Sequence, residues 1–188
     1  MTPIVIILLV LLGLVLIVGL YLMSQYNGLV GLRNKIESAY AQIDVQLNRR
    51  HDLIPNLVET VKGYANHEAS TLEAVISARN AAMNSTGVAA TAQAENAISG
   101  ALKSLFAVSE AYPDLKANAN FQQLQAELGS TEDRIAYARQ YYNDNVRAYN
   151  TKIEVFPTVV IANAFRFDAR EYFQAEETSR DNVNVKFD

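Results

Sequence analysis

The segment "NRRHDLIPNL", residues 48–57, places charged and titratable side chains inside a regular apolar helical pattern. His51 and Asp52 within it are residue types that acid–base catalysis uses. Adjacent residues on a helix point about 100° apart, so these side chains meet only if a kink brings them together. Pro55 removes the hydrogen bond to the His51 carbonyl and predicts such a kink. We expect a structural role for the segment, with acid–base catalysis as the lesser alternative.

Arg50 occupies a position that apolar residues hold elsewhere in the same helical seam. The seam steps by four and three residues, as in a heptad repeat, through Ile36, Tyr40, Ile43, Leu47, Arg50, Ile54, Leu57, Val61 and Tyr64. A buried guanidinium needs a partner, and breaking a buried pair costs about 3–5 kcal/mol. In an antiparallel four-helix arrangement the nearest acids are Glu132 and Asp133. We expect Arg50 to pair with one of them and fix helix register; a ligand or partner site is the alternative.

The residue types offer little support for other chemistry. Cysteine is absent, which excludes disulfides, thiolate nucleophiles and thiolate metal sites. "NHEAST", residues 66–71, lacks the second histidine of a zincin, and no P-loop or GxSxG motif occurs. The net charge is −4 and no basic stripe is present, so nucleic-acid binding is not expected. We expect no cofactor, no metal site and no enzymatic activity.

The stretch "PIVIILLVLLGLVLIVGLYLM", residues 3–23, is an unbroken apolar run, and no charged side chain precedes Arg33. About 20 helical residues span the roughly 30 Å hydrocarbon core of a bilayer. A cleaved signal peptide is the alternative, but "MTP" lacks a basic n-region and "LYLMSQ" is a poor cleavage site. We expect an uncleaved single-pass anchor in the inner membrane. Arg33 and Lys35, with Arg49 and Arg50 further on, predict an outside N-terminus and a cytoplasmic remainder.

The periodicity of the remaining sequence predicts an all-α, up-and-down four-helix bundle with long antiparallel helices. The predicted helices span about 28–64, 65–83, 89–112 and 120–156. The first should continue from the anchor, although a glycine-containing collar could intervene; a break or a stutter is expected at 63–68, and a kink could occur near Gly129. The predicted organisation is an anchor with its collar at 1–26, a bundle domain at 27–156, an apolar and aromatic segment at 157–175, and a polar flexible tail at 176–188.

Aromatic residues mark two candidate contact surfaces. Tyr137 and Tyr141 lie beside the seam of the last long helix, where they could contact a neighbouring protomer or a partner. Phe165 and Phe167 lie in the segment after that helix. There they could enter the membrane interface, with Arg166 and Arg170 near anionic headgroups, or the segment could fold back and plug the end of the bundle.

Long stretches of the chain resemble the LemA family. They are "SAYAQIDVQL", "NRRHDLIPNLVETVKGYANHE", "LFAVSEAYPDLKANANFQQLQAELGSTEDRIAYARQYYNDNVRAYNTKIEVFPTVVIA" and "YFQAEE". The resemblance covers about residues 1–177, in order. It implies a bacterial, membrane-anchored four-helix bundle in the cytoplasm, with roles in membrane organisation and association with membrane proteases. It brings no catalytic residues.

These observations together predict a membrane-anchored scaffold or adaptor. Heptad seams and an anchor that confines the chain to two dimensions favour homo-oligomers. The expected partners are the lipid bilayer, further copies of the chain, and membrane proteins such as proteases. The alternatives are a membrane-tethered sensor that binds a small ligand between its helices and, least favoured, an enzyme.

Overall fold

A computed structural model of the chain describes residues 3–65 and 67–173. Within these ranges the chain is helical and contains no strand, so the predicted all-α class is confirmed. The helices are α1 (Pro3–Lys62), α2 (Ala69–Met83), α3 (Val88–Ser109), α4 (Pro113–Lys116), α5 (Ala119–Glu154) and α6 (Thr158–Phe165). The predicted polar tail at 176–188 and the end of the predicted segment 157–175 lie outside the described residues.

Helix α1 joins the apolar run to the seam that carries Arg50. It continues through Asn27, Gly28 and Gly31 without interruption, so the expected continuity of the apolar run with the following helix is confirmed and the suggested collar is not a break. The large side chains of the apolar run are exposed. Among the described residues, α1 is the one helix long and apolar enough to cross a membrane. An exposed apolar surface of this length fits a lipid environment better than water.

The predicted helix boundaries differ from the observed ones mainly at the connections. Helix α1 ends at Lys62 and α2 begins at Ala69, so the seam shift at 63–68 is a break rather than a stutter. Helix α3 ends at Ser109, earlier than predicted, and the short α4 follows because Pro113 suits a first helical turn. Helix α5 runs unbroken across Gly129, and the kink suggested there stays a prediction.

The chain divides into two compact units, and the divisions fall inside α1 and α5. We call Met1–Ala39 with Asn143–Arg170 the anchor unit and Tyr40–Tyr142 with Glu171–Asp188 the core unit. In the core unit, apolar residues at three- and four-residue spacing form the buried cluster. Its members are Ile54, Leu57, Val58, Val61, Ala65, Leu72, Val75, Ala82, Ile98, Leu102, Leu105, Leu115, Phe121 and Leu128.

In the anchor unit, the chain after α6 turns back along α5. Arg166 adopts a left-handed conformation with φ 55°, and the Phe167 N–H donates to the Ala162 carbonyl at 2.9 Å. This turn buries Phe167, whose ring lies 5.6 Å from that of Tyr26. Phe165 remains 62% exposed, although its ring lies 4.9 Å from that of Tyr26 in an edge-on arrangement. The two phenylalanines, grouped by the sequence analysis, therefore have different environments.

Candidate functional site

Arg50 is fully buried in the core unit, where its guanidinium contacts helices α3 and α5. Its Nη1 donates to Glu132 Oε2 at 2.6 Å and to Ser99 Oγ at 3.0 Å. Its Nη2 donates to the Glu95 carbonyl at 3.2 Å and also to the Glu95 carboxylate. Four of its five N–H donors are thus used, while Nε has no hydrogen-bond partner among the described residues. The guanidinium is tied to two helices at once.

Glu95 supplies the buried negative charge of this site. Its side chain is fully buried on α3, and its Oε1 lies 2.7 Å from His51 Nε2. Burial alone would raise the pKa of this carboxyl. The hydrogen bond with His51 and the charge of Arg50 outweigh burial, so the pKa of Glu95 lies below its ordinary value. The carboxylate is therefore ionised at neutral pH and balances the guanidinium.

Pro55 and Arg79 are linked through the backbone of His51. Proline has no N–H, so the His51 carbonyl loses the donor that residue 55 would ordinarily supply. Arg79 Nε, on α2, donates to that carbonyl at 2.7 Å. Helix α1 continues through Pro55. The proline thus creates an acceptor that joins α1 to α2.

These contacts define what we call the Arg50 cluster: Arg50, His51, Arg79, Glu95, Ser99 and Glu132. It takes residues from α1, α2, α3 and α5 and connects them by hydrogen bonds and ion pairs. Charges buried in low-dielectric surroundings attract one another strongly, but they stabilise the fold only if geometry and partners are complete. The arrangement is suited to holding helices in one alignment.

The remaining residues singled out by the sequence lie elsewhere. Asp52 and Pro55 are exposed while His51 is buried, so the structure does not bring His51 and Asp52 together as an acid–base pair. The expected contact between Arg50 and Glu132 is present. Asp133 does not contact Arg50; it is exposed and lines a surface groove of about 590 Å³, together with Tyr137. Tyr141 is 42% exposed.

Sequence reasoning missed Glu95, Ser99 and Arg79. Glu95 has a recognisable signal, because it precedes Ile98, Leu102 and Leu105 at spacings of three and four residues. All four are buried on the same face of α3. Arg79 has only an indirect signal: a proline inside a helix leaves a carbonyl that needs another donor. Ser99 has no signal of its own.

The Arg50 cluster has the elements of an acid–base pair in His51 and Glu95, but each is already engaged. His51 is 6% exposed and Glu95 is fully buried, and Arg50 shares the carboxylate. Within residues 3–65 and 67–173, no group of three or more His, Asp or Glu side chains is placed to hold a metal ion.

Comparison with known proteins assigns the chain to a family. The LemA family model matches residues 39–187. Protein LemA of Metamycoplasma hominis is 30% identical over 167 residues, covering 86% of this chain and 74% of that protein. Magnetosome protein MamQ 2 of Paramagnetospirillum magneticum is 26% identical over 179 residues, covering 81% of this chain and 66% of that protein. Magnetosome protein MamQ of Magnetospirillum gryphiswaldense is 26% identical over 178 residues, covering 81% and 65%. None of these names denotes an enzyme. The chain belongs to the LemA family.

Proposed function

We propose that this protein is a membrane-anchored helical scaffold that acts through contacts with further copies of itself, with lipid and with other membrane proteins, and that it catalyses no reaction. The observation that carries the proposal is that the side chains able to do acid–base chemistry are already bonded to one another between helices. Arg50, His51 and Glu95 are engaged in joining helices. The exposed apolar surface of α1 supplies the means of membrane attachment.

The proposed architecture of the core unit is an up-and-down four-helix bundle formed by the relevant parts of α1, α2, α3 and α5. Two features support it: short connections separate the helices, and the Arg50 cluster draws a residue from each of them. Helix α4 is a single turn within the connection to α5. Paired cysteines on neighbouring helices should form disulfides on oxidation, and failure to do so would argue against the bundle.

The proposed topology is a single inner-membrane span with the N-terminus outside and the core unit in the cytoplasm. Arg33 and Lys35, which follow the apolar run, support this orientation. Asn84→Cys introduces a unique thiol at an exposed helix end, because the chain has no cysteine. An impermeant maleimide should label it only after the cells are lysed. Thr2→Cys is the opposite control and should be labelled in intact cells; the reverse pattern would overturn the orientation.

Crosslinking in native membranes followed by mass spectrometry tests the scaffold role. We expect crosslinks between two copies of the chain and crosslinks to other membrane proteins, among which a protease is a candidate. The same preparation with the apolar run deleted should lose the membrane-protein crosslinks, because the chain would no longer be confined to the bilayer. Crosslinks confined to the single chain would contradict a scaffold.

A sensor is the second candidate, and a groove in the core unit favours it. The groove has a volume of about 420 Å³, with apolar residues Leu102, Phe106 and Leu128 alongside Ser99 and Glu132. Such a mixed lining is typical of small-ligand sites.

Filling the groove tests the sensor. Gly129→Phe would occupy it, since Gly129 lines the groove and a Cβ there meets no atom within 4 Å. Gly100→Phe, at a similarly open position outside the groove lining, is the control. Compounds that raise the Tm of the wild type and Gly100→Phe but not of Gly129→Phe would favour the sensor.

A further inference from the structure

The anchor unit contains a small polar pocket that the Arg50 cluster does not include. It has a volume of about 150 Å³. The residues that define its chemistry are Arg33, Arg166, Arg170, Tyr149, Asp168 and Phe167. Three arginines line so small a space, and arginine suits an anion because it binds phosphate oxygens through paired, planar N–H donors.

Hydrogen bonds between the side chains of α5 and the backbone after α6 hold the chain around the pocket in place. The Tyr149 hydroxyl donates to the Asp168 carbonyl at 3.1 Å. Asn150 binds the backbone of Arg170 twice, accepting from its N–H and donating to its carbonyl, each at 2.9 Å. The left-handed turn at Arg166 redirects the chain before these contacts begin. A site with a prearranged backbone binds its ligand at a smaller entropic cost.

The charges of the pocket favour a negative ligand. Among the described residues, Asp168 is the one carboxylate in its lining, and Glu37 lies 3.9 Å from Arg170, at the limit of an ion pair. Arg33 lies over the Phe167 ring at 5.9 Å. Burial raises the pKa of the Tyr149 hydroxyl, and the charges of Arg170 and Arg33 oppose that effect. Both guanidiniums therefore act on one polar atom of the pocket.

The position of the pocket along α1 indicates where the anion comes from. Helix α6 begins beside the end of the apolar run, since Thr158 Oγ1 lies 3.4 Å from Gln25 Oε1. The segment around α6 also exposes three large apolar side chains: Phe156 (82%), Val160 (59%) and Phe165 (62%). Helical rise places Tyr26 about 4.5 Å beyond Met23. Phe167 packs on Tyr26, and the Arg33 guanidinium lies 5.9 Å from the Phe167 ring, so the pocket begins close to the end of the apolar run. Arginines next to exposed apolar residues, just past a membrane span, match the depth and chemistry of lipid headgroups.

We propose that the pocket lined by Arg33, Arg166 and Arg170 binds the phosphate of an anionic phospholipid, with Phe156, Val160 and Phe165 entering the same leaflet. The proposal rests on the membrane anchorage proposed above and adds a lipid-specific site to it. The lipid contact is then a second attachment, which fixes the anchor unit against the bilayer surface.

The test uses the full-length protein and native mass spectrometry in detergent, with phosphatidylglycerol and phosphatidylcholine as probes. The wild type should bind one phosphatidylglycerol at least tenfold more tightly than phosphatidylcholine. Arg33→Gln/Arg166→Gln/Arg170→Gln should lose this preference. Arg147→Gln removes an exposed arginine that pairs with Asp144 and should retain it. An unchanged preference in the triple variant would overturn the site.

A variant that should bind the lipid more tightly is also needed, because loss of binding in the triple variant could come from misfolding. Asp168→Asn removes the carboxylate in the pocket but keeps the backbone carbonyl that Tyr149 contacts. Affinity for phosphatidylglycerol should rise about fivefold, the effect of one unit charge near an anionic surface. An unchanged or lower affinity would contradict the proposal.

Two further measurements are needed. One distinguishes binding of a lipid headgroup from binding of free phosphate, and the other distinguishes loss of the pocket from loss of membrane anchorage. In phosphatidylcholine nanodiscs, sodium phosphate at constant ionic strength should not raise the Tm of the wild type. A rise that disappears in the triple arginine variant would instead assign the pocket to free phosphate and overturn the lipid assignment. Resistance to alkaline carbonate extraction reports the anchor by itself, so failure of membrane anchorage is distinguishable from failure of the pocket.

Discussion

Arg50 of α1 and Glu95 of α3 form an ion pair in which both side chains are fully buried. Glu132, with a side chain 45% exposed, meets the same guanidinium from α5. Desolvating two charges is costly, so such a pair contributes little net stability compared with well-packed apolar residues. Its value lies in penalising any helix alignment that separates the charges. Unfolding of the full-length protein in detergent, followed by circular dichroism, measures this effect.

Removing one charge of the pair should be strongly destabilising. Glu95→Ala leaves the Arg50 guanidinium buried with a partner missing, and we expect the free energy of unfolding to fall by about 3–5 kcal/mol. Glu73→Ala, at an exposed position of α2, is the matched control and should change it by less than about 0.5 kcal/mol. Equal losses in the two variants would contradict a buried, interacting pair.

Replacing both charges should restore much of the stability. Arg50→Met/Glu95→Leu removes both buried charges, so neither is left without its partner. Glu132 is exposed enough to be hydrated. Buried ion pairs replaced by apolar residues of similar volume are often neutral or stabilising. We expect the double variant to be more stable than either single variant. Additive losses in the double-mutant cycle would show that the two residues do not depend on each other.

The lowered pKa of Glu95 predicts a loss of stability in acid. Because its folded-state pKa lies below the ordinary 4.5, the unfolded state binds the proton more readily. The stabilisation is fully present above about pH 4.5 and is lost as the pH falls through the folded-state pKa. The difference in unfolding free energy between wild type and Glu95→Gln should shrink as the pH falls below about 4, where the Glu95 carboxylate is protonated. A difference independent of pH would exclude this linkage.

Arg79 should matter only because Pro55 cannot donate a hydrogen bond. In the wild-type background, Arg79→Ala leaves the His51 carbonyl without its donor and should cost about 1–3 kcal/mol. In a Pro55→Ala background, residue 55 supplies an N–H to that carbonyl, so the same change should cost less. Urea unfolding of the four proteins measures the coupling, and identical costs in both backgrounds would refute it.

Truncating Phe167 and truncating Phe165 should have very different effects on the free energy of unfolding. Phe167 is 8% exposed and packs on Tyr26, so Phe167→Ala should lower the unfolding free energy by about 3–5 kcal/mol. Phe165 is 62% exposed, and Phe165→Ala should cost less than about 1 kcal/mol in detergent. A comparable loss at the two positions would mean that the turn at Arg166 does not separate their environments.

Local rules account well for the helices and the apolar run. Periodicity locates the long helices, and proline and glycine locate their connections, because these features depend on residues that are neighbours in sequence. Arg50 is recognisable as foreign to its seam for the same reason. The sequence alone does not explain the shift of the apolar seam at residues 63–68, since a stutter and a helix break produce the same change of phase.

The order of residues along the chain is enough to establish three things: an all-helical protein, an unbroken apolar run, and one arginine in a packing seam. Tertiary packing decides which acids contact this arginine. Glu95 and Glu132 contact it, whereas Asp133 lies in a separate groove. Packing also buries Phe167 and leaves Phe165 exposed. The reason is physical. Periodicity assigns a residue to a face of its own helix, but partners depend on helix rotation and axial offset, which are set by the packing of distant segments together.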